Sequence, residues 1–173
     1  MAPVKHLDPK EIIDLLNRCW MTHDAMWFYQ CLKEFGIEKA NKVNKAAIQS
    51  LAPIEVNRIR RALGLEREKL ETFEEFKTFF SGASELVIPD FMNATMSFPE
   101  KNVLHWAFIP KKCFAYKGML NFGVIEEYEC GVIYRVECWI KSLGLKYRVN
   151  PQIKRCLMLD RDDCAGDFRL GLE

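Results

Sequence analysis

Cysteine supplies the first chemical signal in this 173-residue chain, because five of its seven cysteines crowd the C-terminal third: Cys113, Cys130, Cys138, Cys156 and Cys164. Cys19 and Cys31 lie far upstream. An odd count, in a chain long enough to bury a core of its own, gives no reason for a disulfide framework, so the thiols are expected to be reduced. Thiolates are soft ligands, and four of them satisfy a tetrahedral zinc ion or an iron–sulfur cluster. Cys113, Cys130, Cys156 and Cys164 are the expected metal set, in the spacing Cys-x16-Cys-x25-Cys-x7-Cys, which matches no standard finger. The competing reading is four inert buried thiols, since unpaired cysteine is among the most buried residue types.

Two further pairs could line a ligand pocket. His23 and Trp27 stand four apart, which puts an imidazole beside an indole on one helical face. The alternative is that His23 only marks a helix start and Trp27 is core. His105 and Trp106 are neighbours in an extended stretch and must point to opposite sides, so only one of them can face a given cavity. No Ser-His-Asp order, nucleophile elbow, glycine-rich phosphate loop or His-Glu-x-x-His helix is present. Arg58, Arg60 and Arg61 form a small basic cluster that reads as a solvated helix face.

The elements that must position these residues are legible in outline. Asp8-Pro9-Lys10-Glu11 has the form of a capping box with Pro at the first helical position, opening a helix with Ile12, Leu15, Leu16 and Cys19 on one face. Thr22 is expected to cap a second helix ending at Gly36, and Ile37, Ala40, Val43, Asn44, Ala47, Ile48 and Leu51 mark the apolar stripe of a third. A fourth would open at Pro53 and stop near Gly64. Thr72-Phe73-Glu74-Glu75 is another capping box, with Gly82 closing the helix it starts.

From Phe91 the period changes to two, as in a half-buried strand: Met92, Ala94, Met96 and Phe98 alternate with polar residues. A turn at 99–102 leads into a returning strand at 103–109, then a short helix after Cys113 and a second over 131–143, with Cys130 just ahead of it. Free backbone N–H groups at such a helix start favour a thiolate. Further strands are expected at 147–149, 155–159 and 167–172, with 156–164 as a strand, acidic turn and strand whose end thiols, Cys156 and Cys164, approach each other. The fold class is α+β: an N-terminal helical region (1–90), then a Cys-rich antiparallel sheet with two helices inserted between its strands (91–173), together one compact unit.

The segment Cys130-Gly131, Glu137-Cys138-Trp139 and Leu143-Gly144, followed by Cys156, Cys164 and Phe168, resembles the 4-vinyl reductase domain family. In relatives of that family that sense aromatic compounds, three such cysteines and a Glu three residues before the second bind zinc. The resemblance therefore implies a zinc-holding sensor-like module, although the Glu position is here Ile153 and Cys113 must stand in as fourth ligand. The chain as a whole is also similar to a prokaryotic family with a His-Asp-x-x-Trp helix, here His23-Asp24-Ala25-Met26-Trp27, and a Cys-rich C-terminus, to which no activity is attached. A more distant likeness joins Cys164-Ala165-Gly166-Asp167-Phe168 to the aminothiazoline-carboxylate hydrolase-like family. It implies an enzyme in which Cys113 or Cys164 is a reactive thiol and His23 or His105 its base.

Composition narrows the partners. Hydrophobic residues make up 49% and charged residues 28%, as in a globular protein, and the net charge of +1 builds no field for nucleic acid or an anionic bilayer. No secretion signal or run of about 18 apolar residues is visible, so a cytoplasmic location is expected. The leading expectation is a metal-containing module that binds a small apolar or aromatic molecule, with a structural zinc and with a homodimer compatible. An iron–sulfur protein and a reactive-cysteine hydrolase are the alternatives.

Overall fold

The computed structural model describes residues 6–65 and 70–172. Helix α1 (Pro9–Ala62) opens on the expected capping box, in which Asp8 Oδ1 accepts from the Glu11 backbone N–H at 2.9 Å and Glu11 Oε2 accepts from that of Asp8 at 2.9 Å. The expected new helices at Thr22 and Pro53 do not occur: both residues lie within continuous helical runs, and the only non-helical backbone inside α1 is Gly36, at φ 78° and ψ 171°. Nucleating a helix is costly and propagating one is not, so a lone cap-forming side chain does not break a run already in place. Gly36 does break it, because it alone reaches this backbone region without a Cβ clash. Two arms result, 9–35 and 37–62.

The buried side of the first arm differs from the expected one. Leu15, Leu16 and Cys19 are exposed, whereas Asn17 and Phe28 are buried. Asn17 Nδ2 donates to the carbonyl of Leu86 at 2.9 Å, so a polar tether to the next helix sets the rotation of this arm. That next helix, α2 (Phe73–Val87), carries the expected capping box at Thr72 and buries Phe73, Phe76, Phe79, Phe80 and Ala83. It runs on through Gly82 instead of ending there; glycine stands at this position because the Leu63 side chain lies 2.5 Å from where a Cβ would sit.

A 3-10 turn (Asp90–Met92) precedes strands β1 (Ala94–Ser97) and β2 (Val103–Phe108), which form an antiparallel hairpin pairing Ala94 with Phe108 and Ser97 with His105. Helices α3 (Phe114–Asn121) and α4 (Gly131–Ser142) follow, then β3 (Tyr147–Asn150), α5 (Leu157–Arg161) and β4 (Cys164–Leu170). The sheet order is β1-β2-β4-β3, antiparallel throughout, with Phe108 opposite Cys164 and His105 opposite Asp167. The fold is therefore α+β, with two helices inserted between β2 and β3.

The expected strand at 155–159 is instead the five-residue helix α5, so 156–164 is not a hairpin. A tight hairpin needs a turn that tolerates positive φ at two successive residues, usually with Gly, and Asp160-Arg161-Asp162-Asp163 has none. The chain closes one helical turn, ends it with Asp162 in the left-handed region, and enters β4 at Cys164, three residues before the expected start.

Trp106 and Phe168 from the sheet, Trp139 from α4 and Phe76, Phe79 and Phe80 from α2 are the bulkiest fully buried side chains, within a single core cluster that takes residues from both halves of the chain. Glu55 of α1 accepts from Arg135 Nε at 3.0 Å and from Trp139 Nε1 at 2.9 Å, with a second short contact to the same guanidinium, and so pins the second arm to α4. Among the described residues, no helix is long and apolar enough to cross a membrane.

Candidate metal centre and adjoining cavities

Three of the four cysteines singled out by spacing occupy the same structural position: Cys113, Cys130 and Cys156 are the residues capping the N-termini of α3, α4 and α5. The fourth, Cys164, is the first residue of β4. All four line one enclosed cavity of about 10 Å³, closed by Phe108, Tyr128 and Met158 among others. A void of this size holds about one water-sized sphere.

Separate anchors hold the segments in place. Asn41 on the second arm of α1 donates through Nδ2 to the Glu127 carbonyl at 2.8 Å and accepts from the Glu129 backbone N–H at 3.2 Å, fixing the approach to Cys130. The Tyr128 hydroxyl, fully desolvated, accepts from the Gly131 N–H at 3.0 Å.

The electrostatics of the four thiols are coupled. Burial, with negative charge at Cys113 and Cys156 adding to it, pushes Cys130 up to about 12. Cys164 and Cys113 are raised as well, each chiefly by burial. Opposing this, the backbone N–H groups of Ile133 and Val132 act on Cys130, those of Tyr116 and Ala115 on Cys113, and the Trp106 indole on Cys164, each favouring the thiolate. Trp106 Nε1 is buried without a hydrogen-bond partner of ordinary geometry, so its contact with the Cys164 sulfur is a loose one. Among the described residues no group of three or more His, Cys, Asp or Glu stands in metal-ligating geometry. The thiols share a cavity without closing into a cage.

Ile153, where the resembled family has a Glu, lines the same cavity with a hydrocarbon side chain. Cys138 faces Tyr134 on α4, and Cys19 and Cys31 lie on α1.

The four expected ligand-binding residues are not brought together. His23 is 67% exposed, and its Nε2 accepts from Trp27 Nε1 at 3.1 Å; Trp27 is itself 63% exposed. His105 Nδ1 meets Asp167 Oδ1 at 2.8 Å across the β2–β4 pairing. Trp106 is wholly buried against Phe168, in the core and away from any open cavity.

Two larger spaces lie beside the cysteines. An inner cavity of about 180 Å³ sits between α1, the sheet, α3 and α4, walled by Met21, Met92, Met96, Met119, Phe108 and Trp139 among others. It shares Phe108, Ala115, Tyr128 and Val132 with the cysteine cavity, so the two are separated by one layer of side chains. An outer cleft of about 330 Å³ lies in the bend of α1, where Trp20 and Trp27 of the first arm face the stripe Ala40, Val43, Ala47 and Leu51 of the second. Within that stripe Ala40 is buried in the core, whereas Val43 is exposed. Asp24, Asn44 and Arg135 line both spaces.

Sequence reasoning singled out neither Arg135 nor Glu55, and used Asn44 only to mark a helix. The spacing of Arg135 and Trp139, one turn apart on α4, is the signal that could have found the first two, because one buried carboxylate serves both.

Residues 5–80 match the model of a family described as Family of unknown function (DUF6125). No curated protein matches the chain, and no solved structure does. The family match covers α1 and the first turns of α2 and stops short of Cys113, so its likeness lies in the cleft-forming helices and not in the cysteine cavity.

Proposed function

We propose that this chain is a small-molecule-binding module in which a zinc ion, held by Cys113, Cys130, Cys156 and Cys164, fixes the wall of the inner cavity. The observation that carries the reading is the shared, single-sphere void that these sulfurs line. Its size suits one ion with Zn–S bonds of about 2.3 Å far better than a multi-iron cluster. Backbone N–H groups near Cys113 and Cys130 and the Trp106 indole near Cys164 are available as donors to a bound thiolate, though none makes a hydrogen bond of ordinary geometry to a sulfur. Closing the cage asks for side-chain adjustments as protons leave, since metal binding and thiol deprotonation are one equilibrium.

A four-sulfur zinc has no open position for water, so the ion would be structural. It would tie the starts of α3, α4 and α5 to β4 and so hold Phe108, Ala115, Tyr128 and Val132 where they wall the inner cavity. That cavity, mostly apolar with a few polar groups at one end, has the make-up of a ligand site. Reduced thiols suit a cytoplasmic setting.

Buried thiols with raised pKa make poor nucleophiles, and neither His23 nor His105 lines their cavity, which argues against a reactive-cysteine hydrolase. The test is elemental analysis and ultraviolet–visible absorbance of anaerobically purified protein. One zinc per chain without visible bands is expected, whereas iron with broad visible absorbance would favour a cluster.

A further inference from the structure

We infer that the molecule the inner cavity takes is an amine, with a one- or two-ring apolar body among the methionines and a protonated amino head at Asp24. This rests on reading that cavity as a ligand site. Size sets the body: an engineered protein cavity of about 150 Å³ takes benzene, and drug-sized pockets begin near 300 Å³, so about 180 Å³ admits one ring or two small ones. Met21, Met92, Met96 and Met119 suit a planar ring, because flexible thioethers adapt to its edge and face.

The head group follows from charge. Asp24, Phe28, Asn44, Ile48 and Arg135 line both the inner cavity and the outer cleft, so they stand at the boundary between the two. Two charged groups stand there, Asp24 and Arg135, with Glu55 behind the second. Arg135 is already matched by Glu55, which takes two of its N–H groups as well as the Trp139 indole. Asp24 is held less closely: His23 Nδ1 stands 3.7 Å away, and His23 and Arg135 only partly offset the burial that works against its charge. Partial burial works against its charge and raises its pKa, so a cation arriving at this carboxylate is favoured. Asp24, Glu55 and Arg135 together thus leave one net negative charge at this boundary. An ammonium restores neutrality and gains a charge-assisted hydrogen bond, with the Asn44 side-chain oxygen as a further acceptor. A carboxylate head would meet Asp24 with like charge, and a neutral hydroxyl would gain only an ordinary hydrogen bond.

The experiment is isothermal titration of zinc-loaded wild-type protein and the Asp24→Asn variant with 2-phenylethylamine, 2-phenylethanol and phenylacetate. Asp24 lies on an exposed helix face, so the variant should fold, and circular dichroism checks that it does. The wild type should bind the amine about two- to fivefold more tightly than the alcohol, since the Asp24 side chain is partly solvated, and phenylacetate least. Asp24→Asn should bring the amine down to the level of the alcohol and leave the alcohol within about twofold. Phenylacetate binding as well as the amine, or an amine preference that survives Asp24→Asn, overturns the inference. If the alcohol binds and the amine has no advantage, the amine inference fails while the cavity reading stands. If none of the three binds at millimolar concentration, the cavity reading itself fails.

Discussion

At the scale of single residues, the four cysteines and the Glu55–Arg135 pair between α1 and α4 carry most of the consequences. In the metal-free protein the Cys130 thiol is raised from 9.0 to about 12 by burial, so the folded state holds a proton that the unfolded chain releases in this range. A raised folded pKa contributes stability that is complete below the unfolded value and lost as pH climbs through the folded one. Chelator-treated protein should therefore lose thermal stability progressively between pH 9 and pH 12, as followed by differential scanning calorimetry. Zinc-loaded protein should show the opposite weakness, releasing metal on acidification as protons compete for the sulfurs. A second expectation concerns Glu55, whose side chain is 11% exposed against 19% for Arg135. Glu55→Gln leaves the guanidinium without its counter-charge and should cost about 3 kcal/mol. In a chain of this size that is a fall in Tm of roughly 6–12 °C.

At the scale of elements, the segment 127–129 is the piece whose order the site needs most. Asn41→Ala removes both side-chain hydrogen bonds that hold it to α1 and should cost about 1–3 kcal/mol. Because that segment leads directly into Cys130, the variant should also release zinc faster to a competing chelator than wild type does. Equal release rates would mean that the anchor does not bear on the site. This is also the scale at which sequence reading reaches its limit. Capping boxes at Asp8 and Thr72 are legible because their hydrogen bonds join residues three apart. Period-two alternation marks β1 for a similar reason, the strand needing only its own side-chain pattern. The continuity of α1 through Thr22 and Pro53, the helix at Leu157–Arg161 and the exposure of Leu15, Leu16 and Cys19 depend on what packs against them, which no local pattern states. The crowding of Cys113, Cys130, Cys156 and Cys164 is visible in the chain; the capping positions through which three of them reach one cavity are not.

For the molecule as a whole, the bend at Gly36 and the cysteine cavity hold opposite sides of one space. The bend sets the second arm of α1 against α4 through Glu55 and Arg135, while the proposed zinc would hold the far wall. Gly118 on α3 lines the inner cavity and has open space where a Cβ would stand. Gly118→Leu should therefore raise Tm by a few degrees, through about 1 kcal/mol of helix propensity and added apolar burial, while abolishing binding of 2-phenylethanol. A variant that still binds this probe would place the ligand elsewhere.

The most direct measurement of the central claim is native mass spectrometry with elemental analysis on anaerobically purified wild-type and Cys156→Ser protein. One zinc per wild-type chain, mostly lost in the variant together with a fall in Tm of roughly 5 °C or more, is the expected result. A wild-type chain that is fully folded, free of metal and indifferent to added zinc would contradict it.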